Sequence, residues 1–169
     1  MSIHITSNTK LLNPKPVNKE QLRSIISDEL KQQGPDADLN HIDTSKITDM
    51  SSLFIDLRPE NIKIDEWDVS NVTNMRQLFM NCGDLVADLS DWNVSNVTDM
   101  YGMFFNCYNF NSDLSGWDVG NVKNTRYMFY RCYGLNTDLS NWKLKSGCFT
   151  NDMFTEADKQ RIPSWYTRR

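Results

Sequence analysis

The sequence predicts an α/β fold: a right-handed solenoid with a short parallel sheet on one face, short helices on the other, and a capping helix at the N-terminus. Three observations predict it, namely a gapless repeat of 25 residues, a change of apolar spacing inside each repeat, and an amphipathic segment ahead of the first repeat. Units repeated at a fixed period bury their apolar sides against their neighbours, so we expect them to stack.

The 25-residue period is visible at several apolar positions at once. Tryptophan and phenylalanine carry it most clearly, at Trp67, Trp92, Trp117 and Trp142 and at Phe54, Phe79, Phe104, Phe129 and Phe154. Three complete units span 67–91, 92–116 and 117–141, between a divergent unit at 42–66 and a truncated one from 142. Divergent outer units are typical of a stack, because an end unit faces water where an inner unit has a neighbour.

Within a unit the apolar spacing changes, which predicts a strand followed by a helix. Residues 88–94 place apolar side chains three and then two apart, as in a short strand with a bend. Residues 97–107 place them at helical spacing along one face, after an N-cap at Ser95 or Asn96. Strands in register would form a parallel sheet, with the helices stacked on the opposite face.

The segments that flank the repeats predict caps. Asn18 begins a capping box, and Gly34 with Pro35 ends a helix whose apolar stripe is expected to cover the edge of the first unit. The predicted divisions are a flexible arm at 1–17, a capping helix and linker at 18–41, a repeat solenoid of about 4.5 units at 42–154, and a C-terminal cap and tail at 155–169.

Composition and charge narrow the range of partners. A net charge of -4 and a pI near 5.1 give no general attraction for nucleic acid, so we expect none to bind. The sequence has no long apolar run for membrane insertion and no export signal at its start. We expect a cytoplasmic monomer with a protein partner, or a surface or secreted protein if the chain is exported by another route or is a fragment.

The repeat pattern resembles a known family. The run Asp-Leu-Ser-x-Trp-Asp/Asn-Val-Ser/Gly-Asn-Val occurs at 88–97 and 113–122, and Met-Phe-x-x-Cys follows at 103–107 and 128–132. Over residues 38–154 this pattern resembles the BspA-like leucine-rich-repeat surface proteins of bacteria. The resemblance implies a leucine-rich-repeat-type solenoid used for protein interaction or adhesion, and it brings no catalytic residues.

The cysteines are better explained by packing than by chemistry. Cys82, Cys107 and Cys132 occupy one position of the repeat on its inner side, where a free thiol behaves as a small hydrophobe. Cys148 is out of register and has no partner at zinc-ligand spacing. We therefore predict neither a disulfide nor a metal site here.

The aspartates and histidines are also interpreted as non-catalytic. Asp88, Asp113 and Asp138 could bind calcium, but a turn in which each carboxylate accepts backbone N–H groups is favoured. The two histidines, His4 and His41, lie in no recognised catalytic motif. We predict no catalytic residue, no metal and no cofactor.

Positions that vary between units provide the candidate binding surface, because the scaffold does not fix them. We expect an aromatic, arginine-flanked patch typical of protein interfaces, although the rings could instead thicken the rim of the core. Its members are Tyr101, Phe105, Tyr108, Arg126, Tyr130 and Tyr133. The rival site is the concave face of the predicted strands, formed by Ser90, Asn93, Ser115, Asp118, Ser140 and Lys143.

These features favour a non-enzymatic protein-binding module, in the setting of bacterial adhesion or host interaction. The alternative is a cytosolic inhibitor or immunity protein that blocks a toxin or enzyme by direct binding, which suits a small acidic chain. A hydrolase with an unrecognised site is a more remote third interpretation.

Overall fold

The computed structural model describes residues 13–167, and its single helix among them is α1, Lys19–Gln33. The helix begins where the sequence predicts, because the Asn18 side chain accepts a hydrogen bond from the Gln21 N–H at 2.9 Å. It ends at Gly34, whose φ of 89° suits glycine and whose N–H donates to the Leu30 carbonyl.

Helix α1 packs on the first unit through both apolar and polar contacts. Leu22 and Ile26 are fully buried in the core. The Arg23 guanidinium donates hydrogen bonds to the carbonyls of Leu53 and Ile55, each at 2.6 Å, and to a third carbonyl next to them. These contacts fix the helix over the start of the repeats.

Part of the predicted N-terminal arm and of the tail lies outside the described residues, namely residues 1–12, which include His4, and residues 168–169. Within the described part, Pro14 is buried and its carbonyl accepts a hydrogen bond from the Asp43 N–H at 3.0 Å. Residues near Pro14 therefore lie against the first unit.

The predicted α/β solenoid, with a parallel sheet on one face and short helices on the other, is wrong. Among residues 13–167 there is no strand and no helix besides α1. Strand-type pairing between units is limited to isolated parallel β-bridges. These bridges join Asp38 with Lys63, Asp49 with Asn74, Asn61 with Val86, Asn74 with Asp99, Asp99 with Asn124, and Asn124 with Phe149.

The segment predicted as a strand forms turns instead. At 88–94 the Ser90 N–H donates to the Asp88 side chain at 3.0 Å, and the Trp92 N–H donates to the Leu89 carbonyl at 3.2 Å. These N–H groups are bonded locally, so they cannot enter a ladder between strands.

The segment predicted as a helix, 97–107, is also a run of turns. The Gly102 N–H donates to the Arg126 carbonyl and the Phe104 N–H to the Met128 carbonyl, each at 2.9 Å, so neither makes a helical bond within its own unit. Gly102 has a φ of 55° and Asn106 a φ of 59°, values that an α-helix does not contain. Apolar residues at helical spacing reach the core through these turns.

The 25-residue units nevertheless stack in register. The ring of Phe104 lies 5.6 Å from those of Phe79 and Phe129, at interplanar angles of 10° and 2°. The four tryptophans of the repeat, at 67, 92, 117 and 142, are buried, and the indole N–H of each donates to the carbonyl 28 residues earlier, as Trp92 does to Ile64 at 3.0 Å and Trp117 to Leu89 at 2.9 Å. The core is thus a set of aligned side-chain columns.

Between neighbouring units, the backbone hydrogen bonds donated by residues 75–81, 100–106 and 125–131, which we call the Phe segments, run in one direction. N–H groups of alternate residues donate toward the following unit, as Gln77 does to Tyr101 and Gly102 does to Arg126. In these segments the stack therefore has a carbonyl end at its first unit and an N–H end at its last, whereas bonds elsewhere, such as that from the Thr98 N–H to the Thr73 carbonyl, run the other way.

Candidate functional site

The structure brings the aromatic members of the predicted patch together on one side of the stack. Phe105 and Tyr130 stack with ring centroids 4.8 Å apart and an interplanar angle of 6°. Tyr108 and Tyr133 stack at 5.5 Å and 13°. The residues of each pair are one repeat apart, so the register of the stack positions them.

These rings are exposed to different degrees. Tyr108 is 42% exposed and Tyr133 is 37% exposed, whereas Tyr101, Phe105 and Tyr130 are half-buried. The chain's own atoms do not cover the whole patch, because the large aromatic side chains of Tyr108 and Tyr133 remain open to a partner.

Sequence reasoning missed one aromatic member, Tyr127. Its ring packs edge-on against Tyr101 at 5.7 Å, Phe105 at 6.4 Å and Tyr130 at 6.0 Å. The register gave no signal for Tyr127, because Gln77 and Gly102 hold the same position in the earlier units; its φ of 57° places it in a turn. We call the set the aromatic face; it comprises Tyr101, Phe105, Tyr108, Tyr127, Tyr130 and Tyr133.

Arginines flank the aromatic face, in part at positions that the sequence did not indicate. The Arg76 guanidinium lies 3.8 Å from the centroid of the Tyr101 ring, and Arg131 lies 5.2 Å from that of Tyr130. The predicted member Arg126 lies over Phe149, at 4.3 Å. In such cation–π contacts the positively charged guanidinium is attracted to the face of the ring, which holds both side chains in place.

Glu156 supplies the negative charge at the edge of the aromatic face. It pairs with Arg131 at 3.0 Å and accepts a hydrogen bond from the Tyr130 hydroxyl at 3.2 Å. The hydrogen bond from Arg131 lowers the pKa of Glu156. Burial and the nearby Glu156 charge raise the pKa of Tyr133, so this phenol stays neutral at physiological pH.

The rival set of six polar residues does not lie on a strand face, because the described residues contain no strands. Asn93 and Asp118 close turns by accepting from the N–H groups of Ser95 and Gly120 at 3.2 and 3.0 Å. Lys143 is exposed. The remaining members are serines whose N–H groups donate to the aspartates two residues before them, namely Ser90, Ser115 and Ser140.

The aspartate ladder closes turns, as the sequence analysis favoured. Asp88, Asp113 and Asp138 each accept the N–H of the residue two positions on, at 2.9 to 3.0 Å. The hydrogen bonds from that serine lower the pKa of each carboxyl group. These carboxylates are occupied by the backbone of their own turns.

The cysteine column is buried and free of disulfides, which confirms the packing interpretation. Cys107 and Cys132 are fully buried, and their thiols donate to carbonyls of the preceding unit at 3.0 Å. Burial raises the pKa of Cys82 to about 12. Within residues 13–167 no cluster of His, Cys, Asp and Glu is arranged to hold a metal ion, and His41 pairs with Glu29 at 3.1 Å.

The fold and the aromatic face define a repeat protein built from stacked 25-residue units. The model of a family described as "Mycoplasma protein of unknown function, DUF285" matches residues 48–165, and the chain belongs to this family. The match does not support the BspA-like group specifically. No curated protein and no solved structure matches the chain.

The length and apolarity of α1 bear on whether this helix could cross a membrane. Among the residues that the structure describes, α1 does not meet the length and apolarity that a membrane-crossing helix requires.

Proposed function

We propose that the chain is a non-enzymatic protein-binding module that contacts its partner through the aromatic face. The observation that carries this proposal is the exposure of Tyr108 and Tyr133 at the end of an ordered array of rings. Tyrosine and arginine are enriched where interfaces concentrate their binding energy.

The register of the repeat supports a functional role for these rings. The position of Tyr108 and Tyr133 is held by Gly83 in the preceding unit, and that of Phe105 and Tyr130 by Met80. The stack therefore forms without aromatic side chains at these positions. Their presence in two consecutive units requires another explanation, and contact with a partner supplies it.

The orientation of the rings favours a protein over a carbohydrate. Sugars bind aromatic side chains by lying on a ring face, but Phe105 with Tyr130 and Tyr108 with Tyr133 already cover faces of each other. One face of each ring, its edges and the flanking arginine side chains remain, and together they suit the mixed apolar and polar surface of a protein.

A photo-crosslinking experiment tests the proposal while the partner is still unidentified. A photoreactive phenylalanine analogue replaces Tyr108 in one variant and Val86, an exposed apolar residue outside the face, in another. We expect a discrete crosslinked protein from position 108 alone. Equal crosslinking at both positions, or none at position 108 under conditions that preserve the fold, would refute the aromatic face as the binding surface.

The identified partner then permits an affinity measurement. The double variant Tyr108→Ser with Tyr133→Ser should weaken binding about tenfold or more, since each exposed ring would be lost from the centre of contact. The matched control, Val86→Ser with Ile162→Ser, removes two exposed apolar side chains elsewhere and should leave the affinity within about twofold.

For the biological setting we propose adhesion or host interaction, which rests on the resemblance of the repeat to BspA-like surface proteins. Antibody labelling of intact and permeabilised cells tests it. Labelling of intact cells supports this setting, whereas labelling only after permeabilisation would replace it with the inhibitor or immunity role.

A further inference from the structure

The last unit departs from the repeat pattern at a turn that every earlier unit closes in the same way. At this turn an Asp or Asn side chain accepts the N–H of the residue two positions on, at 3.0 to 3.2 Å. The four acceptors are Asp43, Asp68, Asn93 and Asp118. The fifth position is Lys143, and the residue two positions on is Lys145.

A second turn position changes in the same unit. The earlier acceptors at this position bond to the N–H two residues on at 2.7 to 3.3 Å. They are Asp49, Asn74, Asp99 and Asn124. The fifth position is Phe149, which is 53% exposed and lies under the Arg126 guanidinium.

Both changes remove acceptors from backbone N–H groups. The N–H groups of Lys145 and Asn151 have no acceptor among residues 13–167, and neither has that of Thr150, which lies at the N–H end of the stack. Unpaired N–H groups attract an acceptor, and the oxygen of an Asp or Asn side chain is the acceptor that the other units use at these turns; a carboxylate is the stronger of the two.

The positive charge at this end of the stack favours a negatively charged ligand, as the unpaired N–H groups do. A cavity of about 420 Å³ is lined by Lys143, Lys145 and Thr150 and is bordered by Trp142 and Trp165; no carboxylate lines it. Both lysines are exposed and form no ion pair with any described residue.

A neighbouring cavity extends this surface. Its volume is about 460 Å³, it shares Thr150 with the first cavity, and its lining includes Arg126 and Phe149 but no carboxylate. The nearest acidic turn residue in register, Asp118, already accepts the Gly120 N–H at 3.0 Å. An external carboxylate is therefore free to approach the lysines.

We propose that this end of the stack binds an acidic peptide segment of a partner protein. Its carboxylates would accept from the Lys145 N–H, as Asp118 accepts from the Gly120 N–H in the preceding unit, and from the Thr150 N–H, and would pair with the Lys143 and Lys145 side chains. An apolar side chain of the segment would contact Phe149. This site is separate from the aromatic face and does not depend on it.

The decisive variant restores the repeat pattern, Lys143→Asp with Lys145→Ser. It refills the turn as Asp43 and Ser45 do in the first unit, so it should fold at least as stably as the parent. The probe is a fluorescein-labelled peptide of alternating aspartate and leucine, followed by anisotropy at low and moderate salt. We expect the parent to bind with salt-sensitive affinity and the restored variant to lose about tenfold or more.

The matched control, Lys46→Asp with Lys31→Ser, makes the same change of net charge at exposed positions near the other end. It should keep the parent affinity. A second variant, Phe149→Asn, retains both lysines and should lose about threefold, with the salt dependence unchanged.

Three results would overturn the site: equal affinity in the restored variant, an equal loss in the matched control, or competition by inorganic polyphosphate as strong as that by the unlabelled peptide. Tyr108→Ser with Tyr133→Ser should leave this binding unchanged, so failure here and failure of the aromatic face are distinguishable.

Discussion

The two ends of the stack are finished in different ways. At the first unit, the carbonyls of Leu53 and Ile55 have no preceding unit to bond, and Arg23 donates to both at 2.6 Å. At the last unit, the Phe154 and Glu156 N–H groups have no acceptor among residues 13–167.

The apolar columns, by contrast, are covered at both ends. Leu22 and Ile26 of α1 are fully buried at one end. At the other, Trp165 stacks on Trp142 at 6.5 Å and Tyr166 packs edge-on against Phe154 at 5.0 Å. Covering the core and pairing the backbone are therefore separate requirements, and only the first end has a described side chain, that of Arg23, bonded to its open backbone groups.

The alignment of the peptide groups explains why a cationic side chain stabilises the first end of the stack. Like the carbonyl end of a helix, a row of unpaired carbonyls carries partial negative charge, which Arg23 offsets. The opposite end carries partial positive charge, in agreement with a partner that brings carboxylates.

The largest expected effect distinguishes the middle of the stack from its last unit. Phe104 contacts Phe79, Phe110 and Phe129, so Phe104→Ala should lower the free energy of unfolding by about 3–5 kcal/mol. Phe154→Ala should cost about 1–2 kcal/mol less, because Phe154 has a phenylalanine neighbour on one side only. Urea denaturation measures both.

Phe149→Ala is the control, since Phe149 is 53% exposed and its truncation should change the free energy of unfolding by less than about 0.5 kcal/mol. Equal losses for Phe104→Ala and Phe154→Ala would show that the last unit is as tightly packed as the middle ones.

The sequence could predict the columns of this fold because their chemistry is periodic. The Trp, Phe and Cys positions lie where the 25-residue register places them, and α1 is marked by Asn18 and Gly34. The secondary structure could not be predicted in this way. Apolar side chains three and four residues apart also suit turns in which a positive φ recurs every fourth residue, and non-glycine residues such as Gln77, with a φ of 56°, adopt this conformation without a sequence signal.

The candidate sites were predictable to a similar extent. Register indicated Tyr108 and Tyr133, but Tyr127 was missed because the same position in the earlier units holds Gln77 and Gly102, which carry no ring. Lys143 was grouped with the polar residues of a predicted strand face, although its replacement of an Asp or Asn was visible in the same register. What the sequence could not supply is which N–H groups remain unpaired.

A smaller effect is expected when the carbonyl end loses its cation. Arg23→Met keeps the length of the side chain but removes the donors to Leu53 and Ile55, so the free energy of unfolding should fall by about 1–3 kcal/mol in urea denaturation. Lys31→Met, at an exposed position of the same helix, should change it by less than about 0.5 kcal/mol. If the two variants are equally stable, water satisfies these carbonyls as well as Arg23 does.

Thiol reactivity gives the least perturbing comparison between the middle and the last unit. Cys107 is fully buried and burial raises its pKa, whereas Cys148 is only half-buried, although burial raises its pKa too. For Cys82, with a pKa raised to about 12, only about one thiol in ten thousand is ionised at pH 8. We therefore expect one thiol of the folded protein to react with Ellman's reagent at pH 8, and the other three to react only in denaturant.

Cys148→Ser should abolish the native-state reaction and leave the denatured count one lower. Because the reagent needs thiolate, the rate for Cys148 should rise with pH while the buried three stay protected by the fold. Reaction of Cys107 at the rate of Cys148 would mean that the middle units open as readily as the last one. The stack would then behave as loosely joined units, and the contrast between its core and its N–H end would not hold in solution.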